Sequence, residues 1–142
     1  MPVYQHILAA VDLGETSARV LQNAAALAQL CDARLTVLHV VNYTLPLDMD
    51  YVIPPEDDRE IQMTEAASRR LQELMDREAL SSGVETIIIF GRPKSEITRV
   101  AEQANADLIV VGAHGRHGIS ALLGSTTDRV LHSASCNVLT VY

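Results

Sequence analysis

Leu108-Ile109-Val110-Val111-Gly112-Ala113-His114-Gly115 is the stretch on which the fold turns: four aliphatic residues run straight into paired glycines. No polar residue interrupts the first four, which is the pattern of a strand covered on both faces, as in a parallel sheet. The same pattern recurs outward along the chain, at Ile7 to Val11, Leu35 to Val41, Val84 to Phe90 and Val138 to Tyr142. Helical spacing fills the gaps. Val20, Leu21, Ala24, Leu27 and Ala28 follow Thr16 and Ser17, residue types that cap a helix start. Ile61, Ala67, Leu71, Leu74 and Met75 stripe a long segment from about Glu56 to Ser82, ended by Gly83. Pro93 opens a third helix, where its missing N–H costs nothing, and Ile97, Val100, Ala101 and Ala104 continue it. Val130, Leu131 and Ala134 mark the fourth. The order βαβαβαβαβ calls for crossover connections and helices on both faces of one sheet. The expectation is a single α/β domain over residues 1–142, with a flavodoxin-like or Rossmann-like five-stranded parallel sheet in the order 3-2-1-4-5. Such sheets place ligands beyond the carboxyl ends of their strands. Three points of the chain lie on that rim: Asp12, Val40 to Asn42, and the glycine segment after Val111.

Composition narrows the function. The chain has 142 residues, 48% hydrophobic against 20% charged, which suits one folded core. Eleven basic residues face eighteen acidic ones, for a net charge of −7. That balance argues against nucleic acid, whose affinity rests on Lys and Arg neutralising phosphates. No run approaches membrane-spanning length, and the N-terminal residues lack the basic start of a secretory signal. Cys31 and Cys136 sit in apolar contexts that suit reduced thiols. The expected location is the cytoplasm.

The segment from Gly112 to Thr127 carries the chemistry. Its glycines let main-chain N–H groups approach an anion with no Cβ in the way. Gly124, Ser125 and Thr126 then enter the fourth helix, whose amino end favours phosphate, and the two hydroxyls can add donors. The spacing is neither a Walker A loop nor the dinucleotide fingerprint. On spacing alone the segment reads equally as a strand-to-helix turn, and Asp12 as a capping carboxylate. Asn42 to Pro55, with Pro46, Pro54 and Pro55, is the long irregular connection, lying beside the site or serving as a plain surface loop.

From Ile7-Leu8-Ala9-Ala10-Val11-Asp12 to Asn137-Val138-Leu139-Thr140-Val141 the chain resembles the universal stress protein family. Members that bind ATP carry Gly-x2-Gly-x9-Gly-Ser/Thr after the fourth strand, matched here by Gly112, Gly115, Gly124 and Ser125, with the last interval one residue shorter. The resemblance implies roles for these positions. Asp12 would bond the ribose or the adenine edge, and the Val40 backbone would read adenine. Gly112 and Gly115, with His114 between them, would admit ribose and phosphates. Gly124, Ser125 and Thr126 would hold the phosphate tail, and Arg116 would supply positive charge. The implied function is a stress-response or signalling module that binds ATP, or AMP or ADP, with slow or no hydrolysis. Any Mg²⁺ would be held chiefly by phosphate oxygens and water. A nucleotide-free interaction dimer and a weak ATPase are the alternatives.

Metal and nucleophile readings find no support. His114 and His117 lack companion ligands for a metal, and His39 reads as a hydrogen-bonded core histidine. Ser120 and Ser125 have no base and carboxylate pair that would make either a nucleophile. Lys94, Ser95 and Glu96 open a helix, with Ser95 as its cap and Glu96 against its dipole. The last strand, residues 137–142, is apolar and unshielded, so a homodimer is expected through it, with a protein partner of unknown kind.

Overall fold

A computed structural model describes residues 3–42, 56–80, 82–113 and 124–142 of the chain. The elements are β1 (His6–Ala10), α1 (Ser17–Cys31), β2 (Arg34–Asn42), α2 (Glu56–Arg77), β3 (Glu85–Gly91), α3 (Pro93–Gln103), β4 (Leu108–Gly112), α4 (Ser125–Ser133) and β5 (Asn137–Val141). All strand pairs are parallel, and the order is β3-β2-β1-β4-β5. This is the expected α/β architecture, with strand ends displaced by a residue or so.

The continuous apolar runs are explained by two cores, one on each face. Ile7 and Ala9 of β1, Val37 of β2 and Val110 of β4 point to one side, where Val20, Leu21 and Ala24 of α1 and Leu71 and Met75 of α2 cover them. Leu8, Leu38 and Ile109 point to the other, beneath Ile97, Val100 and Ala101 of α3 and Val130 of α4. Alternation is present in direction and absent in polarity, because both faces are dry. Leu8 and Ile109 are fully enclosed. Cutting either to alanine would cost about 2–5 kcal/mol, the range for a large aliphatic side chain lost from a packed core.

Two large residues of the expected stripes are exposed. Ile61 is 54% exposed and Leu131 40% exposed. In α2 the buried positions Ala67, Leu71, Leu74 and Met75 occupy its carboxyl-terminal part. The helix also stops at Arg77, short of Ser82. Its closure is made by Ala79, left-handed at φ 57°, and by the Leu80 N–H donating to the Met75 carbonyl at 2.9 Å. The same device closes α1, where Asp32 has φ 53° and Ala33 N–H reaches Ala28 O at 2.8 Å. It closes α3 too, with Asn105 at φ 54° and Ala106 N–H on Ala101 O at 2.9 Å. Each is a Schellman turn without glycine. Gly83, at φ 77°, serves the following turn into β3 instead.

The start of α1 also differs from expectation. Thr16 holds the N-cap position with no side-chain cap bond, and Ser17 is already helical and only 1% exposed. Ser95 does not cap α3: Arg92 stands at its N-cap, and the Ser95 hydroxyl donates back to the Arg92 carbonyl at 3.4 Å.

Candidate functional site

The sheet order sets the location. β1 runs on into α1, which lies on one face, whereas β4 leads to α4 on the other. Neighbouring strands whose connections leave in opposite directions open a crevice beyond their carboxyl ends. Asp12, Val40, Gly112, Gly124, Ser125 and Thr126 all map to this rim. His114, Gly115 and Arg116, and most of the connection ending at Pro55, lie outside the described residues.

On the β2 side, main-chain groups are left over. Arg34 N–H donates to Gln5 O, and Leu38 O accepts from Val11 N–H, both at 2.9 Å, so even-numbered residues of β2 direct their amides and carbonyls toward β1. Pairing with β1 ends at Ala10 with Leu38, yet β2 continues to Asn42. The next carbonyl of the first strand, Val11 O, accepts instead from His39 Nδ1 at 2.8 Å. Val40 therefore presents an N–H and a C=O side by side to the space past the end of β1, without a main-chain partner there among the described residues. Val40 as a whole is 6% exposed and its side chain belongs to the core beneath α3 and α4, so it turns main chain toward the crevice. His39 thereby fulfils its reading as a hydrogen-bonded histidine.

Asp12 organises the turn after β1. Its Oδ1 accepts from Gly14 N–H at 2.8 Å and from the Ser17 hydroxyl at 3.2 Å. A Cβ on residue 14 would meet that oxygen at 2.9 Å, so a larger residue there would push the Asp12 carboxylate out of this position. Oδ2 has no such bond among the described residues. One carboxylate thus serves as a structural cap through one oxygen and keeps the other as a free acceptor.

On the β4 side, α4 is pinned by its neighbours. Gly124 N–H donates to Ala113 O at 2.8 Å, Ala113 N–H donates to Val141 O at 2.7 Å, and the Thr127 hydroxyl donates to Gly112 O. Gly124 is the N-cap and has no side-chain cap bond, and the first helical bond is Asp128 N–H to Gly124 O at 2.9 Å. The amides of Ser125, Thr126 and Thr127 are accordingly the donors a helix start leaves without intrahelical acceptors. Gly124 has its amide committed to Ala113, so its contribution is to shape the entry into the helix.

Thr127 and Gly14 are structural members of this site that the sequence reading assigned no role, and Ser17, read as a helix cap, bonds Asp12 instead. Thr127 carried a usable signal: it stands three residues before Val130, the fully buried residue of α4, and so shares its inward face. The role of Gly14, and the bond of Ser17 to Asp12, are legible only once Asp12 is placed in a turn.

A model of the universal stress protein family matches residues 3–142. The chain belongs to this family. This universal stress protein is 38% identical over 142 residues to Universal stress protein A homolog 2 of Coxiella burnetii, an alignment covering 99% of this chain and 97% of that relative. The solved structure of MJ0577, from Methanocaldococcus jannaschii, matches with a TM-score of 0.81 at 29% identity, covering 97% of this chain and 95% of that one. A universal stress protein solved in complex with cAMP has the same fold, with a TM-score of 0.73 at 24% identity and coverage of 98% and 97%.

Proposed function

We propose that this universal stress protein binds an adenine nucleotide in the crevice between β1 and β4, and that it acts through occupancy instead of rapid turnover. The observation that carries the reading is the unmatched N–H and C=O pair of Val40 at the overrun of β2. An adenine edge offers one donor and one adjacent acceptor, the complement of that pair. Around it, Asp12 Oδ2 would accept from a ribose hydroxyl, Gly112 would allow close approach, and the amides of Ser125 to Thr127 would meet a phosphate at the positive end of α4. His114, Gly115 and Arg116 complete this proposed set. A relative of the same fold solved with cAMP, an adenine ring bearing a phosphate, supports the ligand class. ATP is the proposed occupant. Among the described residues no group of three or more His, Cys, Asp or Glu converges, so a Mg²⁺ accompanying the phosphates would take its oxygens chiefly from them and from water.

The substitution Asp12→Asn isolates the ligand role. Asparagine retains an oxygen for Gly14 and Ser17 and replaces the acceptor Oδ2 with a donor. The expected result in calorimetry is micromolar ATP binding by the native chain, weakened about tenfold in Asp12→Asn, since one bond to a charged group is worth roughly 1.5–3 kcal/mol. The melting temperature should barely move. Affinity weaker than millimolar in the native chain would reject the proposal and leave a nucleotide-free dimer as the better account. Phosphate release at more than a few turnovers per hour would reject action by occupancy.

The dimer has an observation of its own. β5 is an edge strand whose Val138, Leu139 and Thr140 are only half-buried and whose neighbour Tyr142 is 61% exposed. We infer that residues 137–142 pair with the same strand of a second copy. Light scattering after size exclusion should give twice the chain mass at micromolar concentration, and a monomer there would contradict the pairing.

A further inference from the structure

Beside the crevice, on the face covered by α3 and α4, lies a cleft of about 420 Å³ lined by Arg92, Lys94, Ser95, Ser125, Asp128 and Arg129. It gathers three cations and one carboxylate in a chain whose net charge is −7. The ion pairs among the described residues do not neutralise them: they join Arg99 to Glu96 and His132 to Asp128. Glu96, the acid of the first turn of α3, is drawn away from the cleft. Arg99 Nε donates to its Oε2 at 2.7 Å, and its side chain lies so close over Gly91 that a Cβ there would meet Glu96 Cγ at 2.9 Å. Asp128 Oδ1 lies 3.6 Å from His132 Nδ1, whose shorter contact is with the Asp128 carbonyl at 2.8 Å, so this carboxylate stays in the cleft as one negative group beside three positive ones.

Two of these cations stand at the amino end of a helix. Arg92 is the N-cap of α3, Lys94 lies in its first turn, and Arg129 follows the first turn of α4. Helix amino ends are already positive, and cations there destabilise where acids would stabilise. Arg92 and Lys94 stand where the α3 dipole disfavours a cation, and Arg129 adds a third exposed positive charge to the same cleft, an arrangement that an anion between them would relieve. Ser125 belongs both to this cleft and to the amide set that faces the crevice, so the two spaces share a wall.

We infer that this cleft is a pocket for a phosphate chain, occupied by the terminal phosphates of the nucleotide, so that Arg92, Lys94 and Arg129 select ATP over AMP. The inference rests on the nucleotide reading given above. Calorimetry on the full chain with ATP, AMP and inorganic tripolyphosphate tests it, using the native protein, the double variant Arg92→Ala/Lys94→Ala, and Arg129→Ala. The native protein should bind ATP at least tenfold more tightly than AMP, with the larger salt dependence for ATP. The double variant should lose most of that preference through ATP alone, with AMP affinity within twofold of native, and Arg129→Ala should move the same way by a smaller factor. Unliganded melting temperatures should be unchanged or slightly higher, because cations have left helix amino ends. Equal losses for ATP and AMP, or unaltered ATP binding in the double variant, would overturn the selection. If the native chain binds neither nucleotide, the nucleotide reading fails by itself. Tripolyphosphate bound by the native chain and lost in the double variant would then still uphold the pocket, and its absence would overturn both.

Discussion

The two ends of the sheet are built on opposite terms. At the amino end, polar groups close on one another. Asp107 accepts from the amides of Gln5 and His6 at 2.8 and 3.0 Å, and its own amide donates to His6 O at 3.0 Å. The His6 ring, 4% exposed, bridges from Ala104 O at 3.0 Å to Thr36 Oγ1 at 2.7 Å, and Thr36 is itself 1% exposed. Asn137 reaches the Tyr4 hydroxyl at 3.1 Å and ties in the last strand. At the carboxyl end, by contrast, β2 overruns its neighbour, α3 and α4 start without side-chain caps, and cations stand unpaired among the described residues. Groups that satisfy each other hold a fold together. Groups left over are available to something that is not the chain.

This contrast predicts that substitutions at the amino end cost stability and spare binding, while those at the carboxyl end do the reverse. The largest effect belongs to Asp107→Ala, which strips the acceptor from two amides, one of them at a part-buried site. Urea unfolding should show a loss of about 2–3 kcal/mol, with ATP affinity unchanged. Thr36→Val keeps the volume and removes the hydroxyl that partners His6 Nε2, leaving a buried ring nitrogen without its bond. A loss of about 2 kcal/mol by the same measurement is expected, again with binding intact. If either variant weakened ATP binding as much as Asp12→Asn, the division between the two ends would be wrong.

Thr127→Val is the intermediate case, because it breaks the link from α4 to Gly112 at the open end. About 1 kcal/mol of stability should go, and ATP affinity should fall by a larger factor than the stability loss alone would suggest, since the amides of Ser125 and Thr126 lose their anchor. The smallest effect concerns Cys136, just before β5 at the closed end. Burial, reinforced by the Asp107 carboxylate, pushes its thiol above the ordinary range. A thiol raised in the folded state contributes stability that is present below the unfolded value and is lost as pH climbs through the folded one. Alkylation by iodoacetamide at pH 8, followed by mass spectrometry, should be slower at Cys136 in the folded chain than after unfolding, and modestly faster in Asp107→Ala than in the native fold.

Much of this was legible from residue order. Five apolar runs and four stripes are enough for a doubly wound parallel sheet, because only strands dry on both faces read as unbroken Val, Ile and Leu. Asp12 and the Gly112 and Gly124 positions could be placed on the rim for the same reason. The overrun of β2 could not, since it depends on where β1 stops relative to Leu38, a matter of register between segments far apart in the chain. Helix ends were misjudged at α2 because glycine is the usual left-handed residue, and here Ala79 takes that conformation with Gly83 nearby as a distraction. The stripe overreached at Ile61 and Leu131, where helical spacing continues past the surface that the sheet can cover. Arg92, Lys94 and Arg129 come together only through the packing of α3 on α4.

The three Schellman turns have a consequence for how such a molecule can change over time. They close α1, α2 and α3 within a few residues, and they hold the connections after α1 and α3 short at the closed end. The two longest connections, between β2 and α2 and between β4 and α4, cross the opposite end. Inserted or deleted residues can be absorbed on that side without disturbing the register of any strand, so a lineage built on this frame is free to remodel what it recognises while inheriting its scaffold unaltered.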